Sequence, residues 1–216
     1  LSPCRVAMCV GKCSRIVGPC LLVLGTLSVA ANILLLFPGW TSKYLVEGHI
    51  SKDAKAVPGV WGGGITVSTA VCATQPCFGP HLTFGPLPGC CPQAFISALL
   101  SKLVLLGSAA CFILSGVGLT NGPLCFYNAT ERGHGHGTLW GYPFLDASRQ
   151  EPDARAENYL HDRHTWSICL EPEGIVAWNV VLFSLLLLVS AAEMVLASIQ
   201  ILNGCFGCLC GFCEGK

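Results

Sequence analysis

Cys205-x-x-Cys208-x-Cys210-x-x-Cys213 is the densest set of reactive side chains in this 216-residue chain. Four thiolates so spaced are chemically able to hold zinc tetrahedrally. They also interleave with Phe206, Leu209 and Phe212 directly after a long apolar run, the setting in which cysteines are S-acylated. Position favours acylation over zinc, and Cys9, Cys13, Cys90 and Cys91 join the tail cysteines as candidates. His134-Gly135-His136 offers only two metal ligands on a glycine-containing stretch and reads as a solvated loop. Asp162-Arg163-His164 reads as local surface structure. No nucleophile–base pair, phosphate loop or metalloprotease signature is present. Neither an enzyme nor a metal or cofactor is therefore expected.

Glu193 is the most costly residue, because it interrupts an otherwise aliphatic run. It lies roughly 15 Å, about ten residues, from the inner end of that run, near the centre of a bilayer. Carboxylates at that depth are unfavourable by about 2.5–3.5 kcal/mol and normally face a bundle interior. Ser190, Glu193, Ala197 and Gln200 share one helical face. The plain expectation is a protonated Glu193 hydrogen-bonded to a neighbouring span, with Asn32 as a partner; a proton or solute pathway is the alternative. Gly18, Gly25 and Asn32 form one heptad-spaced stripe, and Ser108, Cys111, Ser115 and Gly118 another. In lipid, small residues permit close backbone contact between helices. Packing within one bundle is the simpler reading, and association with another chain or a second copy the sharper one.

The elements that must position these residues follow from composition. Hydrophobic residues make up 52% and charged residues 11%, the latter well below the about 25% of soluble domains. No charge occurs between Ala56 and Ser101, and only Glu193 and Glu214 between Ile175 and Gly215. Such runs suit hydrocarbon as solvent. Net charge is zero with no basic tract, which argues against nucleic-acid binding.

Four spans are expected: 16–37, 57–73, 94–119 and 175–202. The first would reach roughly 33 Å, against a hydrocarbon core of about 30 Å. It exceeds the about 7–15 apolar residues of a signal peptide. The second carries Gly62, Gly63 and Gly64 and is closed by Pro76 and Pro80. The fold class is thus an all-α membrane protein, a four-transmembrane-helix bundle. Around the spans lie an N-terminus (1–15), a short outer loop (38–56), an inner turn (74–93), a large outer loop (120–174) and a Cys-rich tail (203–216).

Counting Lys and Arg does not orient the bundle, with five inside and seven outside if both ends are cytosolic. The cysteines do. In that orientation only Cys125 and Cys169 are outside, Cys111 is mid-span, and the other twelve sit at or near the reducing side. Two cysteines in an oxidising space can form one disulfide. It would close a loop of over 40 residues, worth about 3–4 kcal/mol on the chain-entropy model. Asn128-Ala129-Thr130, an N-glycosylation acceptor, then also lies outside. The large loop holds eight acidic residues and four Arg. It also holds Trp140, Tyr142, Phe144, Tyr159 and Trp166, a candidate aromatic cluster, whereas 149–157 reads as an exposed insertion.

Several stretches carry a family resemblance. Met8-Cys9-Val10-Gly11-Lys12-Cys13-Ser14-Arg15, Ala31-Asn32-Ile33-Leu34-Leu35, Trp61-Gly62-Gly63-Gly64 and Asn121-Gly122-Pro123-Leu124-Cys125 form one group. Trp140-Gly141-Tyr142-Pro143-Phe144, Trp178-Asn179 and Cys210-Gly211-Phe212-Cys213 continue it. Together they resemble the four-pass L-six antigen family, a tetraspanin-like group of cell-surface proteins. Residues 1–7 precede the usual starting Met, and the Pro-rich turn 77–92 lacks the charged, Cys-dense pattern expected there. True tetraspanins carry Cys-Cys-Gly in the large outer loop, and this loop has none. The resemblance implies an adaptor at the plasma membrane, or at endosomal or lysosomal membranes. Such an adaptor organises integrins, tetraspanins or receptors by lateral association, influencing adhesion, migration and proliferation. A claudin-type junction protein needs two cysteines after the first-loop Trp; Trp40 has none following it before Ala56. A transporter or proton-coupled regulator using Glu193 remains the alternative from another class.

Overall fold

A computed structural model of the protein describes residues 3–68, 90–128, 137–145, 159–160 and 162–213. Side chains are described from 16 onward in the first helix, from 98 in the helix that begins at Cys90, and in the last helix to 203 and at 205. In chain order the elements are α1 (Pro3–Leu36), a 3-10 turn Pro38–Trp40, α2 (Lys43–Val46), α3 (Lys52–Lys55) and a π-helix Gly59–Ile65. They continue with α4 (Cys90–Asn121), β1 (Cys125–Asn128), β2 (Thr138–Gly141), a 3-10 turn Arg163–Ile168 and α5 (Ile175–Cys213). Among the described residues, Ile16–Leu36, Ala98–Asn121 and Ile175–Asn203 are long and apolar enough to cross a membrane. The architecture is that of an all-α membrane bundle carrying a small disulfide-closed loop domain. Among the described residues, β1 and β2 form a two-stranded antiparallel ribbon.

The expected second span is described as far as Ser68, and over Gly59–Ile65 it is a π-helix rather than an α-helix. Glycine's permissive backbone admits the wider turn, and π-turns recur inside helices at functional positions. Residues 69–73 of that span and most of the turn expected at 74–93 lie outside the described residues, as do 146–158, which contain the proposed insertion.

Local signals explain the helix ends. Pro38 disfavours α geometry at Phe37, which takes φ −121°, ψ 68° and stops α1. Gly122 adopts φ 75° just past the end of α4, the left-handed position that glycine fills without steric cost.

Each long helix buries a stripe at alternating three- and four-residue spacing. On α4 it comprises Ser101, Val104, Ser108, Cys111 and Ser115; on α5, Phe183, Leu186, Ser190, Glu193 and Ala197. On α1 it runs through Val17, Leu21, Ser28, Asn32 and Leu35. A 3.5-residue period is that of left-handed helix packing. Leu103, Leu106, Ile113, Val181, Leu188 and Val195 are exposed, so large apolar groups face outward while the serines, Asn32 and Glu193 face inward among apolar neighbours. That arrangement suits lipid as the surrounding medium.

The chain divides into two compact units. The first comprises Leu1–Val29, Gly59–Cys111 and Leu188–Lys216, with a core of Val17, Leu21, Val67, Val104 and Ala197. The second comprises Ala30–Pro58 and Phe112–Leu187. Its core joins Cys125, Tyr127, Phe144, Tyr159, Cys169 and Val176, with Trp166 and Ile168 packed against it.

Candidate functional site

In the first unit, three consecutive glycines each meet a different neighbour. A Cβ at Gly62 would stand against the Gly107 carbonyl and 2.9 Å from the Cβ of Cys111. One at Gly63 would stand 2.7 Å from the Cβ of Ser28 and 3.1 Å from Oε1 of Glu193. One at Gly64 would strike the side chain of Val29. Gly25 repeats the pattern, 3.0 Å from the Gly63 carbonyl. Glycine here is a condition of helix approach, since any side chain would hold the backbones apart.

Ser28 and Glu193, both fully buried, therefore converge on Gly63. Among the described residues, neither the Ser28 hydroxyl nor the Glu193 carboxyl oxygens have a hydrogen-bond partner, and no ion pair includes Glu193. The spot is a carboxyl and a hydroxyl kept from water. Sequence reasoning singled out Glu193 but missed Ser28. Its signal was available: Ser28 sits three residues from Gly25 and four from Asn32, on the same helical stripe. Asn32 is fully buried on α1, and Gln200 is half-buried on α5.

In the second unit, β1 and β2 pair antiparallel with Cys125 opposite Gly141 and Phe126 opposite Trp140. Phe126 also exchanges two 2.9 Å backbone hydrogen bonds with the Leu170–Glu171 segment. The Cys125–Cys169 disulfide ties the same strand to the segment entering α5, with Cα atoms 5.5 Å apart. The expected aromatic cluster divides in two. Phe144 and Tyr159 stack at 4.3 Å, and the Trp166 indole N–H donates to the Tyr159 carbonyl at 2.8 Å. Trp140 turns instead to Phe126, Tyr44 and His49, stacking on the last at 4.1 Å and 2°.

That second group shows the short loop fastened onto the large one. Tyr44 donates to Glu171 at 3.1 Å, and Lys43 pairs with the same carboxylate at 3.5 Å. The Lys52 backbone N–H donates to the Tyr142 hydroxyl at 3.0 Å, and Asn121 donates to Asp53 at 3.1 Å. The two loops thus make one cap. Burial pushes the Tyr159 phenol up to about 12, and its hydroxyl donates to the Leu119 carbonyl. Burial also raises Tyr142. Tyr44 is raised by desolvation first and then by its bond to Glu171. A cavity of about 20 Å³, room for one water, lies among His49, Ser51, Trp178 and Asn179.

Asn128 closes β1 opposite Thr138 and is half-buried; Thr130 of its acceptor triplet lies outside the described residues. Cys205 is exposed on α5. Cys9, Cys13, Cys90, Cys91, Cys208, Cys210 and Cys213 lie on helical backbone, with side chains outside the described residues. Among the described residues no group of three His, Cys, Asp or Glu is placed to hold a metal. His134, His136 and His161 lie outside them, and Asp162 caps the following turn by accepting from the His164 N–H. The short-loop contributors Tyr44, His49 and Asp53 went unrecognised in the sequence, since nothing local marks a partner 68 to 127 residues away.

Comparison with known proteins agrees with this architecture. The family profile described as L6 membrane protein matches residues 8–214. Transmembrane 4 L6 family member 19 of Mus musculus is 40% identical over 218 residues, covering 99% of this chain and 98% of that protein. Its Homo sapiens counterpart is 36% identical over 214 residues, with 99% and 98% covered. Transmembrane 4 L6 family member 1 of Homo sapiens is 37% identical over 219 residues, covering 95% and 96%. No solved structure matches the chain. With its glycine-centred helix packing, buried polar stripes and disulfide-closed cap, this chain belongs to the L6 membrane protein family.

Proposed function

We propose that the protein is a tetraspanin-like membrane adaptor that organises cell-surface complexes by lateral association. The observation that carries this reading is the cap. Two loops far apart in sequence are fastened into one body by the Tyr44–Glu171, Lys43–Glu171 and Asn121–Asp53 contacts and by the Cys125–Cys169 bond. A preorganised surface loses little conformational freedom when a partner docks. Val46, Leu139 and Leu170 stand exposed on it, which suits partner contact. In this reading both chain ends are cytosolic and the four spans keep the boundaries 16–37, 57–73, 94–119 and 175–202. The cap faces outward at the plasma membrane, Asn128 is glycosylated, and the juxtamembrane cysteines are acylated. Integrins, other tetraspanin-like proteins or receptors are the partner classes, with influence on adhesion, migration and proliferation signalling.

The test is exchange of residues 38–56 and 120–174 together for the corresponding loops of a distant relative. Chemical crosslinking and mild-detergent co-purification follow. Loss of the partner set with surface expression retained supports the adaptor reading. An unchanged partner set, or none at all with the native cap, refutes it.

A further inference from the structure

Trp40 combines a left-handed backbone conformation with a largely exposed indole. After α1 ends at Leu36, Gly39 and Trp40 both take left-handed conformations, φ 62° and 63°. For a bulky residue that geometry is strained. Its effect is to fold the indole back toward the helix ends. The Trp40 ring lies 5.9 Å from that of Trp178, edge-on at 76°. Trp178 itself donates from its indole N–H to the carbonyl of Leu34 at 3.0 Å. Trp40 thus sits level with Leu34 and Trp178, each within one turn of the end of an apolar span, or about 3–5 Å of rise. Despite this position the Trp40 side is open: the residue is 76% exposed. Among the described residues its indole N–H has no acceptor; its one hydrogen bond is from the backbone N–H to Phe37.

An apolar ring with a free donor at the end of a span matches one environment, the boundary layer of a bilayer, where lipid ester and phosphate oxygens meet the acyl chains. We propose that Trp40 is a membrane-interface anchor. Its ring lies in the glycerol–carbonyl layer of the leaflet beneath the cap and donates to a lipid ester or phosphate oxygen. Through its contact with Trp178 it sets the depth at which the short loop leaves the membrane. The occupant is phospholipid, and the surface is continuous with the lipid-facing sides of the spans, where Ile33 and Val181 are also exposed.

The experiment uses the full-length protein in phosphatidylcholine vesicles containing brominated lipid. The spectrum of Trp40→Phe is subtracted from that of the unsubstituted protein, which removes the background of the other four tryptophans. The difference signal is expected to be quenched more strongly by bromines near the headgroup than by bromines near the chain ends, and little by aqueous acrylamide. Acrylamide quenching without lipid quenching overturns the proposal, as does strongest quenching by the deepest bromines. In a second measurement benzoylphenylalanine replaces Trp40 and is photolysed in the vesicles. Crosslinking to phospholipid supports the anchor, and crosslinking to protein alone refutes it. Neither readout depends on the adaptor reading.

Discussion

Replacing Gly63 by Ala isolates the central packing claim. The added Cβ would lie 2.7 Å from the Cβ of Ser28 and 3.1 Å from Oε1 of Glu193. Both neighbours are fully buried on helix stripes, so relief requires moving a helix rather than rotating a free side chain. Overpacking of this kind costs about 1–3 kcal/mol. Against it stands the gain in helix propensity on replacing glycine by alanine, about 1 kcal/mol at most. We expect a net loss of up to about 2 kcal/mol. Gly116→Ala provides the matched control: its Cβ would meet only Leu187 Cδ2 at 3.9 Å, an ordinary contact, so propensity should make it neutral or stabilising. The double variant Ser28→Gly/Gly63→Ala removes the clashing Cβ from the other side and should recover most of the loss, since contacting residues couple strongly. Denaturation in mixed micelles, followed by circular dichroism, reads all four proteins. If Gly63→Ala behaves like Gly116→Ala, or Ser28→Gly fails to rescue it, the close approach at Gly63 is refuted.

Three further outcomes are expected. Cys125→Ser should cost about 3–4 kcal/mol, the chain-entropy value for a loop of this length, given the 44-residue separation; reversible denaturation would show it. Tyr44→Phe and Glu171→Gln should each weaken short-loop docking by no more than about 1 kcal/mol because their contact is solvent-accessible. Hydrogen exchange should quicken over residues 43–56 while the disulfide remains. Tyr159 is raised to about 12 when folded, so its neutral form is favoured in the native state. Stability should hold constant below pH 10, where folded and unfolded phenols are both neutral. It should fall as pH rises from 10 towards 12 while only the unfolded phenol ionises; Tyr159→Phe should flatten that fall.

Much of the bundle was legible because hydropathy is additive along the chain. The apolar runs at 16–37, 94–119 and 175–202 announced helices that the structure describes at Ile16–Leu36, Ala98–Asn121 and Ile175–Asn203. Heptad-spaced Gly25 with Asn32, and Ser108 with Ser115, fell on the buried stripes, since a 3.5-residue period is readable without coordinates. The π geometry of Gly59–Ile65 was not legible, because glycine is permissive of several backbone forms. Nor was the β1–β2 ribbon, whose strands are only four residues each.

By itself, the amino-acid order pointed to lipid as the solvent, to three long apolar helices and to Cys125 with Cys169 as disulfide partners. Excluded charge and apolar run length are sums along the chain that need no three-dimensional knowledge. Tertiary structure alone decided that Gly63 is where Ser28 and Glu193 meet, that Tyr44 reaches Glu171, and that Trp40 folds back to Trp178. Each of those depends on how backbones distant in sequence approach to within a few ångströms, and no local pattern carries that distance.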